Sequence, residues 1–185
     1  MKRCVAHDLE EPIESVLDIL TLDDDVRNDL LRLPDYKMAD VAVFCNSYPS
    51  VDISFDVKDP DDVTAGDPVQ VVVNLERDID EAMSKDDLGD LGKVSAALFP
   101  REKKESWWVV IGDTMTNSIL SLKRVNLRHK QSVALEFIAP EEAGDYELTL
   151  FCMNDSYMGA DQELNVSLSV ARADNDDDGS DEKHE

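Results

Sequence analysis

The chain has 185 residues, 42 acids against 18 bases and a formal net charge of −24. That length holds one good core, or one core with a small satellite, and an apolar content of 42% excludes disorder throughout. The acid excess excludes unaided binding to nucleic acid or to an anionic membrane, and points instead to solubility and basic protein partners.

Residues 12–48 read as helices. Ile13, Val16, Leu17 and Leu20 recur at helical spacing behind Pro12, which suits a first turn. Asp23, Asp24 and Asp25 offer a cap and favourable charge to a second helix carrying Val26, Leu30 and Leu31. Pro34 breaks that helix, and a third places Met38, Val41, Ala42, Cys45 and Tyr48 on one stripe before Pro49 ends it. Three helices this short bury too little alone, so they are expected to rest on another body.

From residue 51 the period changes to two. Val51, Ile53, Phe55 and Val57 alternate with polar residues, and so do Val69, Val71, Val73 and Leu75, apart from the interposed Val72. Further strands are predicted at about 106–111, 117–127, 132–138, 145–153 and 163–171. Turn signals separate most of them, at Gly66-Asp67-Pro68, Gly112-Asp113, Pro140 to Gly144 and Asn154 to Gly159. The pattern predicts an α+β chain: a helical piece over 1–49, then a seven-stranded fibronectin type III or immunoglobulin-like β-sandwich over 50–173. Trp107 is the candidate core tryptophan, and Tyr146, opening the sixth strand after Gly144, is placed for a tyrosine corner. No cysteine on the second strand can pair with Cys152, which favours the fibronectin type over a disulfide-bonded domain. An acidic insert at about 78–100 reads as a mobile surface loop, and 174–185 as a disordered acidic tail.

Cys4, Cys45 and Cys152 are too few and too far apart for a disulfide framework or a zinc site, so a reducing, intracellular setting is expected. No apolar run approaches the roughly 18 residues of a membrane span, and the start of the chain lacks a signal peptide's apolar stretch. Asp174, Asp176, Asp178, Gly179 and Glu185 match the spacing of a calcium-binding loop, but a strand precedes them in place of a helix. His7, His129 and His184 lie in no nucleophile signature, and no phosphate-binding glycine loop occurs. Catalytic, cofactor and metal residues are therefore expected to be none.

The positive clues are for binding. Residues 98–130 hold seven bases against three acids, among them Lys123, Arg124, Arg128 and Lys130. That patch fits docking of an acidic protein surface or a phosphate backbone, although simple charge balance on exposed strands explains it as well. Adjacent tryptophans on one strand point to opposite faces, so if Trp107 enters the core with Val109 and Ile111, Trp108 and Val110 face outward, or the reverse. An apolar outer face calls for cover by the helices, the insert or a partner. With Tyr157 and Met158 in the adjacent turn, these residues form the candidate interaction surface.

The run Ser106-Trp107-Trp108-Val109-Val110-Ile111-Gly112-Asp113, its continuation from Asn117 to Arg124, and the stretch Asn154 to Glu163 carry a resemblance. They are similar to the carboxy-terminal domain shared by the endoplasmic-reticulum translocation protein SEC sixty-three and certain large RNA helicases. Glu14 to Ile19, Ala39 to Ala42 and Asn46-Ser47-Tyr48-Pro49 narrow it to the end of the second such unit in spliceosomal U5 small nuclear ribonucleoprotein helicases of the Brr-two type. The resemblance covers roughly 10–173. It implies the last two parts of the family's unit, a helix–loop–helix and a fibronectin-like sandwich. It also implies a nuclear, non-catalytic protein-interaction and regulatory module of a helicase that unwinds U4/U6 RNA during spliceosome activation. Its partners would be the rest of the parent helicase and U5 and tri-snRNP proteins, with weak RNA contact and no membrane. None of the parent's ATPase motifs is present, so no catalytic residue carries over. The insert is longer than the family's, and Ala160 stands where a cysteine often sits. The alternatives are the equivalent module of the translocation protein or of another two-cassette helicase, or a small acidic calcium-binding protein.

Overall fold

The computed structural model describes residues 13, 16–79, 91–94, 96 and 98–173. Three helices come first: α1 (Val16–Thr21), α2 (Asp24–Leu31) and α3 (Asp35–Ser47). Asp23 occupies the N-cap position of α2 but makes no side-chain cap bond. The work at that junction falls to Arg27, whose guanidinium donates to the Ile19 carbonyl at 3.0 Å and the Leu22 carbonyl at 2.6 Å. A cation at these carbonyls complements the negative end of α1. Arg32 ends α2 in the left-handed region at φ 49°, with its N–H on the Asn28 carbonyl. On α3, Cys45 is buried, Met38 and Val41 are half-buried, and Ala42 is exposed, so the predicted stripe is narrower than its sequence spacing. No helix among the described residues is long and apolar enough to cross a membrane.

Seven strands follow where the alternation places them: β1 (Val51–Val57), β2 (Pro68–Arg77), β3 (Trp107–Asp113), β4 (Ser118–Val125), β5 (Lys130–Ile138), β6 (Gly144–Asn154) and β7 (Gln162–Val170). They form two antiparallel sheets, one ordered β1-β2-β5 and the other β4-β3-β6-β7. The inner faces share a single core. Val69, Val71, Val73, Leu75, Val133, Leu135 and Phe137 come from the first sheet, and Trp107, Val109, Ile111, Leu148, Leu150, Cys152, Val166 and Leu168 from the second. Two sheets facing one core are the layers of a sandwich.

Gly112 and Asp113 are not the turn that the sequence suggests; they close β3. The pairing steps from Ile111 opposite Ser121 to Gly112 opposite Ile119, which leaves Leu120 as a bulge on β4 that packs against the core. The turn comes after, and Asp113 organises it by accepting from the Met115 N–H at 2.8 Å and the Thr116 hydroxyl at 2.7 Å. Tyr146 donates to the Glu142 carbonyl four residues upstream at 2.8 Å, the bond a tyrosine corner makes. Of the predicted insert, residues 80–90, 95 and 97 lie outside the described residues, as do the tail 174–185 with its calcium-loop spacing and Cys4. The described end of the insert is fixed to the strand side. The Glu105 N–H donates to the Gly92 carbonyl and the Val94 N–H to the Lys103 carbonyl, each at 2.9 Å. Gly92 sits at φ +80°, and a Cβ there would meet the Leu127 carbonyl at 3.2 Å.

The helical piece is joined to the sandwich by aromatic rings. Tyr48, just past α3, meets Tyr157 of the β6–β7 turn edge-on at 5.5 Å, and Phe44 lies 6.2 Å from Tyr157. The Tyr48 hydroxyl donates to the Met158 carbonyl at 2.7 Å. Gly159 sits at φ +83°, a conformation that favours glycine, and a Cβ there would lie 3.3 Å from the Tyr48 oxygen.

One charged pair is sealed inside. Arg77 ends β2 in one sheet, Glu105 precedes β3 in the other, and their side chains are 5% and 1% exposed. Arg77 Nη2 donates to Glu105 Oε1, Trp107 Nε1 donates to the same oxygen at 3.2 Å, and Arg77 Nε donates to the Arg128 carbonyl at 3.1 Å. Burial pulls the Arg77 guanidinium below its ordinary pKa, with Tyr157 opposing. Removing one partner strands the other charge. Glu105→Ala is therefore expected to lose about 3–5 kcal/mol in urea denaturation, and Arg77→Leu/Glu105→Leu to recover part of that loss. Tyr48→Phe, which deletes only the bond to Met158, is expected to cost about 0.5–1.5 kcal/mol by the same measurement.

Candidate interaction surface

Because Trp107 is wholly buried, the next residue on β3 must point away from the core, and Trp108 is 37% exposed. Cross-strand pairing builds a face around it. Trp108 lies between Arg124 of β4 and Met153 of β6, and Val110 lies between Leu122 and Phe151. Past the bulge, Ile119 lies opposite Gly112. Leu122 is 50% exposed, Ile119 66% and Met153 37%. The outer face of the four-stranded sheet is thus apolar along its middle.

Arg124 is held over this face. Its guanidinium carbon lies 5.3 Å from the Trp108 ring centroid, a cation–π distance, and Nη2 donates to Asp155 Oδ2 at 2.7 Å. Asp155 in turn is held in place. Its Oδ1 accepts from the Ser106 N–H at 2.9 Å, the Ser156 hydroxyl at 2.6 Å and Lys103 Nζ at 3.5 Å, and Lys103 also reaches the Asp155 carbonyl at 2.8 Å. Partial burial alone would raise the Asp155 pKa, but the bonds from Ser156, Ser106 and Arg124 and the charge of Lys103 together hold it below the usual carboxylate range. One carboxylate thereby fixes the start of β3, the β6–β7 turn and the arginine on the tryptophan.

The structure sorts the candidate residues. Trp108, Lys123, Arg124, Arg128, Lys130 and Met158 are exposed. Val110 faces outward in register but is only 8% exposed, because the neighbouring strands' side chains close over the middle of the sheet. Tyr157 is only 6% exposed, since its ring is taken up by Tyr48 and Phe44. Neither is offered at the surface as the sequence reading had it. Lys130 belongs to the other sheet, where it donates to Glu76 at 2.7 Å. Sequence reasoning missed Asp155, whose role depends on donors from 31 to 52 residues away in the chain. It also missed Leu122, Ile119 and Met153, which read as ordinary strand residues until their register is known. Trp107 and Tyr146 have structural roles, in the core and at the corner.

The two thiols among the described residues carry no sign of reactivity. Cys152 is wholly buried and desolvation pushes its pKa up to about 12, while burial also raises that of Cys45. Among the described residues, no three His, Cys, Asp or Glu side chains come together as a metal cluster.

The Sec63 Brl domain family matches residues 5–167. The chain is 44% identical over 178 residues to the U5 small nuclear ribonucleoprotein 200 kDa helicase of Mus musculus, covering 96% of this chain and 8% of that protein. It is 46% identical to the Drosophila melanogaster protein of the same name, over 92% of this chain and 7% of that protein. It is 36% identical to the pre-mRNA-splicing factor brr2 of Schizosaccharomyces pombe, over 87% of this chain and 7% of that protein. Among solved structures, the CARDB domain of the Pyrococcus furiosus PF1109 protein is 12% identical with a TM-score of 0.41, over 67% of this chain and 90% of that one.

Asp155 makes the surface pH-sensitive in a defined direction. Its folded pKa is lowered, so its stabilisation is complete above the unfolded value of about 3.9 and is lost as pH falls through the folded value. Wild type is expected to exceed Asp155→Asn in stability by a constant margin at neutral pH. That margin closes below about pH 4, as read by urea denaturation across pH.

Proposed function

For a chain that belongs to the Sec63 Brl domain family, we propose a non-catalytic role as a protein-interaction and regulatory module within a spliceosomal RNA helicase. The relatives that support this reading are named as U5 small nuclear ribonucleoprotein helicases and a pre-mRNA-splicing factor, and the chain matches only 7–8% of their length. Within such a protein the module would act in the nucleus, in unwinding of the U4/U6 duplex during spliceosome activation, beside U5 and tri-snRNP proteins. RNA contact would be weak and secondary.

The observation that carries the interaction role is the outer face of the four-stranded sheet, with Trp108, Leu122, Ile119 and Met153 exposed together beside an anchored arginine. Contiguous apolar surface of this kind marks a docking site more often than it serves a monomer. The domain division that suits this role is a helical piece over 1–49, a fibronectin type III-like sandwich over 50–173 with an insert at 78–100, and an acidic tail over 174–185. Support for the fibronectin type comes from the three-plus-four strand arrangement, the Tyr146 corner, and a core in which Cys152 carries a free thiol.

The test is affinity capture from nuclear extract on the immobilised full chain, with Trp108→Ser and Leu122→Ser as comparisons. Recovery of U5 and tri-snRNP proteins is expected, and a fall of at least about tenfold with either substitution at an aromatic or aliphatic anchor. Recovery of translocon components alone would assign the chain to the translocation branch of the family and overturn the splicing role.

A further inference from the structure

The register that turns Trp108 outward also sorts the charges of this sheet. On β7, Glu163 lies opposite Phe151, which lies opposite Val110, so its carboxylate shares the outer face with Leu122. On β6, Leu148, Leu150 and Cys152 enter the core, and the alternation sends Asp145 and Glu147 outward with Met153. All three carboxylates are exposed, and none makes an ion pair among the described residues. Glu147 and Asp145 accept from the Ser167 and Ser169 hydroxyls across the strand pair, each at 2.9 Å, and these neutral donors leave the negative charge unbalanced. The base that the register places on this face is Arg124, and Asp155 already meets its charge. Lys123 lies opposite the core-facing Val109 and belongs to the other side of β4. The face therefore has an apolar floor with uncompensated acids along its β6–β7 side. A cation brought there gains attraction without first displacing another, while the floor asks for large apolar side chains.

We propose that this face receives a basic segment of another protein that carries large apolar side chains. Those side chains seat on Trp108, Leu122 and Met153, and its lysines or arginines meet Glu163 and Glu147. The proposal rests on the reading of this face as a docking surface, and adds the chemistry of what docks. Charge sets the other occupants aside. The chain's own residues 174–185 carry seven acids and one lysine, with no large apolar side chain. A second copy would bring another −24 against the first. RNA or an anionic lipid surface would set phosphates against Glu163, Glu147 and Asp145.

Selection of a random dodecapeptide display library on the immobilised full chain tests this directly. Enrichment of peptides in which Lys and Arg outnumber Asp and Glu, and in which Leu, Phe or Trp recur, is the expected result. The selected peptides should shift the backbone amide signals of Trp108, Leu122 and Glu163 in the labelled chain, with affinity falling as salt is raised. They should bind about tenfold more weakly to Glu147→Lys/Glu163→Lys and to Leu122→Ser. Binding to Asp52→Lys/Asp56→Lys should stay at the level of the unsubstituted chain, because that pair makes the same charge change on the outer face of the other sheet. The substituted residues are exposed, and an otherwise unchanged amide spectrum shows that the fold is intact. Enrichment of acidic or neutral peptides, or undiminished binding to the variants of this face, overturns the proposal. An equal loss with Asp52→Lys/Asp56→Lys also overturns it, since net charge alone would then account for the binding. So do larger shifts of the same signals with oligouridylate or anionic vesicles than with the peptides. Movement of those signals on truncation after Ala173 would make the tail the occupant, and self-association abolished by Leu122→Ser would make it a second copy; either result overturns the proposal. If Trp108→Ser loses splicing proteins from nuclear extract while no basic peptide is selected, the docking surface stands and this account of its partner fails.

Discussion

The carboxylate of Glu105 is almost completely withdrawn from water, and it is tolerable there only because Arg77 from the opposite sheet and the Trp107 indole both donate to it. These bonds do more than neutralise a charge. They join the end of β2 to the start of β3, so the two sheets are tied where no disulfide ties them. They also give the Trp107 indole nitrogen its partner, which lets the largest side chain of the core lie wholly buried. Once Trp107 is inside, the pleat of the strand puts Trp108 outside. The character of the outer face is therefore decided by a bond made in the interior.

The same economy governs the β6–β7 turn. At one end Asp155 collects four donors and holds Arg124 on the exposed tryptophan. At the other, Tyr157 and the carbonyl of Met158 receive Tyr48, which attaches the helices. A short turn thus couples the helical piece to the sheet face through rigid contacts on both sides. It also shows why net charge is a poor guide to local chemistry. An acidic chain presents an apolar face beside a fixed arginine because one of its acids, Asp155, holds Arg124 in position.

Legibility in the sequence followed the range of the interactions involved. The strands and the tyrosine corner depend on residues a few positions apart, and the alternation of Val69, Val71, Val73 and Leu75 is enough to show an inner face. The resemblance in the stretches around Trp107 and Asn154 led to the family that matches over 5–167. The surface residues were less legible. Val110 and Tyr157 are as apolar as any interface residue, but Phe151 and Leu122 flank the first and Tyr48 and Phe44 enclose the second, and those neighbours come from distant parts of the chain.

Alone, the amino-acid order determined that one run of strands would have two faces and that Trp107 and Trp108 would lie on different ones, because a period of two is a property of the local backbone. Only the tertiary structure decided which outward residues stay open. Exposure is set by cross-strand neighbours, and a bulge at Leu120 or a buried pair such as Arg77 and Glu105 changes those neighbours without leaving a local pattern. Asp155 is the clearest case. In the sequence it is one acid among 42, and its place in the fold makes it the residue on which Arg124 is held.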